Sequence, residues 1–263
     1  MTAIAHSSLP TQVGLLIGRA VRRIVRQPAQ LVFPLLFPLI LLGVNASGLA
    51  AATKLPGFPS ASYLDFALAI PFMQGALFAA LNAGQDLARD IQNCFLDRLA
   101  LTPMSGAALL AGQLGGALFM GIVSALIYLF VGVVFGVGIA SGVGGALVLL
   151  ALAISISFAF ACFGTFVALR AGTGEAVQGF FPLFFVLLFL SSASMPRNLI
   201  EQDWFRTVAT YNPVSYMVEG VRSLVITGWD AQALLQAFGI TAVAIVLFLA
   251  LSSRALRTRL TRT

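Results

Sequence analysis

Six stretches of this chain are apolar over membrane-spanning lengths: residues 31–52, 63–85, 107–137, 146–169, 177–195 and 232–252. A helix needs about 20 mostly apolar residues to cross the hydrocarbon core of a bilayer. The runs therefore predict an all-α integral membrane protein with six transmembrane helices, one unit over residues 1–263. Composition agrees: 9% of the residues are charged and 59% hydrophobic, whereas soluble domains carry about 25% charged residues. So few charges could not cover a water-facing surface. Pro34 and Pro38 fall in the first run, Pro71 in the second and Pro182 in the fifth. Spanning helices tolerate such prolines because neighbouring helices and water satisfy the freed carbonyls. The third run exceeds one span and is expected to tilt or project.

Orientation follows from the basic residues in the connections. With the amino terminus inside, the cytoplasmic segments hold 11 of the 15 Lys and Arg, including Arg19, Arg22, Arg23, Arg26, Arg254, Arg257 and Arg259. The outer segments hold four, Lys54, Arg197, Arg206 and Arg222. Both termini are then cytoplasmic, and the net charge of +6 faces anionic lipid or a cytoplasmic partner instead of nucleic acid. The first run is too long for a signal-peptide core of about 7–15 residues and is expected to be a retained span. Cys94 and Cys162 lie far apart in apolar or cytoplasm-assigned sequence, which predicts free thiols.

Three segments do not span. Residues 11–27 place Val13, Leu16, Ile17, Ala20, Val21 and Ile24 on one helical face, with Gln12, Arg19, Arg22, Arg23 and Arg26 on the other, and Pro28 ends the pattern. Such a basic amphipathic helix lies in the headgroup plane, and its arginines also fix the orientation of the first span. Residues 86–101 set Ile91, Phe95 and Leu99 at i, i+4 and i+8, with Asp86, Arg89, Asp90, Asp97 and Arg98 around them. Asp86 and Arg89 form an i, i+3 pair, and Thr102-Pro103 reads as the cap and first position of the third span. This segment is either a lipid-surface hairpin or a lever tied to two spans. Residues 194–228 contain two helices too short to cross. Asn198 is expected to cap the first, and Asn212 the second with Pro213 at its first position. Glu219 and Arg222 are expected to pair at i, i+3. The pair of helices is either re-entrant, covering the outer mouth, or a solvated cap; polar groups survive near lipid when they face protein or a water-filled cavity.

Several activities lack their residues. There is no G-x-x-x-x-G-K-[ST], and the one lysine, Lys54, follows "LAAAT", so the chain has no P-loop for a nucleoside triphosphate. His6 is the sole histidine, which excludes a histidine-based metal site or triad. No acidic pair lies deep in an apolar run, and ion-coupled carriers normally keep ionisable groups near the midplane.

In "FLDRLALTPMSG", Asp97, Arg98, Leu99, Pro103 and Ser105 match an acidic-basic helix ending in R-L and followed by P-x-S. In "NPVSYMVEGVRSL", Asn212, Pro213, Tyr216, Glu219 and Arg222 match N-P-x-x-[YH] and a short helix with an acidic-basic pair. With the amphipathic helix at 11–27, the chain resembles the membrane subunits of type-2 ABC exporters, the daunorubicin-resistance-like permeases of bacteria. "NCF" at Asn93–Phe95 departs from the glycine-containing pair of many members. The resemblance implies a permease subunit of the bacterial cytoplasmic membrane, without catalysis or a cofactor of its own. ATP and Mg would bind two separate ATPase subunits, and a second membrane subunit, identical or homologous, would complete the pore. It further implies that residues 86–101 are a coupling helix, with Asp90, Phe95, Asp97, Arg98 and Leu99 at the ATPase. Residues 194–228 would be the outer gate, formed by Asn212, Pro213, Tyr216, Glu219 and Arg222. The solute would pass Gln74 and Asn82 of span two and Phe181 and Phe185 of span five. An apolar path with sparse amides suits a drug-like or lipid-like cargo, with polysaccharide or glycan export, or an ion-coupled carrier, as the alternatives.

Overall fold

The computed structural model describes residues 8–95, 98 and 106–260, and these contain helices and no strand. Helix α1 covers Leu9–Arg26 and α2 Pro28–Gly48. They are followed by α3 (Tyr63–Ala67), α4 (Ala69–Gln92), α5 (Gly106–Val134) and α6 (Gly142–Ala171). Next come α7 (Gly174–Gly179), α8 (Phe181–Phe189), α9 (Asp203–Tyr211), α10 (Pro213–Ile226) and α11 (Ala231–Leu260).

Among the described residues, five helices are long and apolar enough to cross a membrane: Leu31–Gly48, Tyr63–Gln92, Gly106–Val134, Gly142–Ala171 and Ala231–Arg259. The fifth expected span is shorter than its apolar run. It is split into α7 and α8 over Gly174–Phe189, below the ~20 residues a full crossing needs. Pro182 has no N–H to give the Gln178 carbonyl, and the helix breaks just before it. Residues 190–194 leave the helix as a loop in which Ser191, Ser192 and Ala193 are buried.

Helix α4 is the axis of the bundle, with 17 of its 24 residues buried. It can be surrounded because its crossing points are small. A methyl group at Gly164 of α6 would lie 2.0 Å from the Ala80 carbonyl oxygen, and one at Gly84 would lie 2.8 Å from the Gly164 oxygen. Backbone therefore meets backbone where α4 and α6 cross, the close approach that small residues permit between membrane helices. The prolines of α2 are handled individually. Pro38 cannot bond the Pro34 carbonyl, and the buried Tyr128 hydroxyl donates to that oxygen at 2.7 Å.

Helix direction sorts the charges. Arg19, Arg22, Arg23 and Arg26 of α1, Arg89 at the end of α4, Arg170 at the end of α6, and Arg254, Arg257 and Arg259 of α11 gather at one end of the bundle. The opposite end carries α3, the 190–194 loop, α9 and α10.

Candidate functional site

At the basic end, α4 continues unbroken through Asp86, Arg89 and Asp90 to Gln92. A separate helix starting at Asp86 is thereby corrected: these residues are the last turns of span two. The chain then breaks at Asn93–Cys94, where Cys94 adopts φ 53°, the one positive φ outside glycine among the described residues. The break holds because its groups are bonded: the Cys94 N–H donates to Ile91 at 3.0 Å and Arg98 Nη2 to the Asn93 carbonyl at 2.9 Å. Phe95 and Arg98 lie beyond it. Asp97, Leu99, Thr102, Pro103 and Ser105 lie outside the described residues.

Asp90, expected on an exposed contact face, is 6% exposed. It accepts from Arg19 Nη2 at 2.7 Å and from Arg23 Nη1 at 3.4 Å. Arg23 Nη2 reaches Asp86 at 2.9 Å, so one guanidinium bridges two carboxylates a turn apart. Arg89 sits 3.9 Å from Asp86, the expected i, i+3 pair. The cation between them relieves the like-charge repulsion of an i, i+4 acidic pair. A charge-assisted hydrogen bond contributes about 1.5–3 kcal/mol, against about 1 kcal/mol for a basic residue near an anionic membrane surface. Arg19 and Arg23 accordingly face protein, while Arg22 and Arg26 stay exposed. Arg19 also lies over the Phe95 ring, 3.8 Å from its centroid.

The apolar face of α1 likewise meets a helix. Methyl groups placed on Gly112, Gly115 and Gly116 of α5 would lie 2.3 Å from Leu16, 2.4 Å from Ile17 and 2.7 Å from Ala20. Helix α1 is thus clasped to the basic ends of both α4 and α5, the two helices that flank residues 93–105.

The amides and phenylalanines of the expected path separate. Gln74 is 2% exposed with Oε1 lacking a partner, while Asn82 lines a small crevice with Arg23, Asp86 and Gln113. Phe184 turns inward onto Phe160 and Phe163 of α6, and Phe180 also meets Phe163. Phe181, Phe185 and Phe189 continue a row of rings across α8, with centroids 4.9 and 6.0 Å apart. Phe181 reaches Phe78 of α4 at 5.5 Å, and Phe78 meets Phe33 and Phe37 of α2 at 5.7 and 6.1 Å. The row therefore joins three helices and ends in the exposed Phe33 and Phe189. Phe33, Phe37 and Phe78 escaped the sequence reading because each is an ordinary apolar residue in an apolar run.

At the opposite end, Asn212 does what its spacing predicts and more. Its Oδ1 accepts from the Val214 N–H at 2.9 Å, capping α10, with Pro213 at the first position. Its Nδ2 donates to the Leu187 and Leu190 carbonyls, at 2.6 and 3.2 Å, closing the end of α8. The expected Glu219–Arg222 pair does not form. Glu219 pairs with Arg197 at 2.7 Å, and Arg197 also covers the Tyr216 ring at 4.4 Å. Arg222 is buried and donates to the carbonyls of Phe66, Ser192 and Ala193 at 3.2, 3.1 and 2.9 Å, with its guanidinium over the Phe66 ring. Tyr63 takes the next carbonyl, Ser194, at 2.9 Å. Irregular backbone at membrane depth must be satisfied inside the protein, and side chains from α3 and α10 satisfy this loop.

The expected cap at Asn198 is also corrected. Arg197–Leu199 is a single 3-10 turn, Asn198 donates to the Gly57 carbonyl at 3.2 Å, and α9 begins at Asp203. Helix α10 has 14 residues, about 21 Å at 1.5 Å per residue, too short to cross ~30 Å of hydrocarbon.

No curated protein matches the chain. The model of one family, described as ABC-2 type transporter, matches residues 11–226. That span runs from the first turn of α1 to the last residue of α10 and takes in the clasp, the aromatic row and the bonded loop. The chain therefore belongs to the ABC-2 type transporter family, as a multi-pass membrane permease subunit that works with an ABC ATPase.

Proposed function

We propose that this chain is one membrane half of a bacterial exporter, seated in the cytoplasmic membrane with its basic end inside. A second membrane subunit, identical or homologous, and two ATPase subunits complete it. The ATPases bind ATP and Mg, and their closure drives alternating access. The clasp of Arg19 and Arg23 on Asp86 and Asp90 carries this reading. Through it, a push on residues 95–101 is borne by α1, α4 and α5 together, because packed elements shift as rigid bodies. In this scheme Phe95, Asp97, Arg98 and Leu99 meet the ATPase, and Asp90 positions the segment from behind.

The cargo is a hydrophobic, drug-like or lipid-like solute moving along Phe181 and Phe185. The aromatic row supports this: it offers wide apolar contact and no charge. Asn212, Pro213, Tyr216, Glu219 and Arg222 hold the outer gate. The test is co-purification with the cognate ATPase, with ATP hydrolysis and solute efflux measured in proteoliposomes. Leu99→Asp would bury an unpaired carboxylate at the contact, a penalty of several kcal/mol, and should abolish assembly or coupling. Arg98→Ala should have a smaller effect that shrinks at high salt. Normal complex and efflux from Leu99→Asp would reduce the segment to a lipid-surface hairpin.

A further inference from the structure

A groove of about 690 Å³ opens between α1, α5, α6 and α11. Its walls include Ile17, Gly115, Leu118 and Phe158, and its rim carries Ser253 and Arg257. From Gly106 to Leu118, α5 rises about 18 Å at 1.5 Å per residue, close to the ~15 Å depth of one leaflet's hydrocarbon. The groove thus runs from the basic end to about the bilayer midplane. Ser253 turns its hydroxyl back to the Ala250 carbonyl at 2.8 Å. Arg257 is exposed and has no ion-pair or hydrogen-bond partner among the described residues, whereas Arg259, two positions on, donates to the Leu169 carbonyl at 2.9 Å.

We infer that this groove is a binding site for an anionic phospholipid, its acyl chain against Leu118 and Phe158 and its phosphate at Arg257. Any apolar groove open to a bilayer takes up hydrocarbon, since a void forfeits dispersion contacts; the choice of headgroup rests on charge. Arg257 is the one charged residue among the described residues lining the groove, it stands at the groove's basic end, where a headgroup would sit, and guanidinium binds phosphate through paired N–H donors. The leaflet is the inner one if the basic end is cytoplasmic, but binding in detergent does not depend on that orientation.

The experiment counts dioleoylphosphatidylglycerol and dioleoylphosphatidylcholine retained by the purified chain in native mass spectrometry. Phosphatidylglycerol should be preferred about fivefold, the ratio expected from about 1 kcal/mol per basic residue. Arg257→Gln should erase the preference. Arg22→Gln, on the exposed face of α1 and away from the groove, should leave it intact. Ala111→Phe, at an exposed position of the groove wall, should lower retention of both lipids while circular dichroism stays unchanged. Equal binding of the two lipids by the unaltered chain overturns the proposal. So does an equal loss in Arg22→Gln and Arg257→Gln, which would mean diffuse surface attraction. Disulfide-linked dimers of Ala111→Cys in native membranes, in a Cys94→Ser background, would make the groove an interface between copies and also refute it.

Discussion

Arg222 shows how one side chain can hold a segment that no regular structure supports. Its three acceptors are backbone carbonyls from two separate pieces of chain, and they stay buried whatever residue stands at 222. Removing a buried charge relieves some desolvation, but each orphaned acceptor costs about 1–3 kcal/mol, so the acceptors decide the sign. Arg222→Met should destabilise the protein by roughly 2–4 kcal/mol on that scale. Arg222→Lys should recover only part, because a single ammonium cannot match the guanidinium fork. Thermal unfolding of the purified variants measures both, and a methionine variant as stable as the parent would mean that the carbonyls find other partners. Gly164 makes the steric counterpart. Gly164→Ala sets a methyl 2.0 Å from the Ala80 carbonyl oxygen, and overpacking of this kind typically costs about 1–3 kcal/mol. Gly43→Ala, with nothing within 4 Å of the new methyl, should be neutral or slightly stabilising in the same melt.

At the scale of elements, α1 is the helix whose surroundings differ most from its pattern. Its sequence has the charge and apolar stripe of a helix resting on lipid, yet both stripes are partly taken up by protein. Asp90→Asn keeps the size of the side chain but removes the charge that holds Arg19 and Arg23. Loss of one charge-assisted bond of about 1.5–3 kcal/mol should raise local opening of α1 by roughly ten- to a hundredfold at 1.4 kcal/mol per decade. Hydrogen exchange of the Leu9–Arg26 amides, with α6 as the internal reference, reads this directly. Unchanged protection would mean that the glycine face of α5 alone holds the helix. Tyr128→Phe tests a second junction. It orphans the Pro34 carbonyl and should lower stability by about 1–3 kcal/mol, unless water enters beside Pro38.

For the whole molecule, the directions of the helices put α1 and the end of α11 on one side of the bundle and Thr53 and Asp203 on the other. With the basic end inside, as proposed, Thr53→Cys and Asp203→Cys should react with a membrane-impermeant maleimide in intact cells. Arg22→Cys and Thr258→Cys should react only after permeabilisation. The exposed Cys94 must first be changed to Ser, while the buried Cys162 can remain. Reversed labelling would overturn the orientation without touching the fold.

The sequence by itself determined the class of the protein and roughly where its long apolar helices lie. Those properties are local: apolar length sets a span, proline stops or starts a helix, and Asn212-Pro213 carries its own cap. Asp86–Arg89 was legible for the same reason, since both residues sit on one turn. What only the tertiary structure decided was which groups meet across the chain. Asp90 looks like any exposed acidic residue until α1 packs over it. The pairing of Glu219 with Arg197, in place of Arg222 one turn away, depends on the Arg197–Leu199 turn lying beside α10. The Phe33–Phe78–Phe181 row has no sequence signature, because phenylalanine in an apolar run fits lipid, core or cavity equally well. The short fifth span was hidden similarly: hydropathy counts apolar residues, whereas Pro182 and the side-chain-bonded carbonyls of Leu190, Ser192, Ala193 and Ser194 decide where helix gives way to loop.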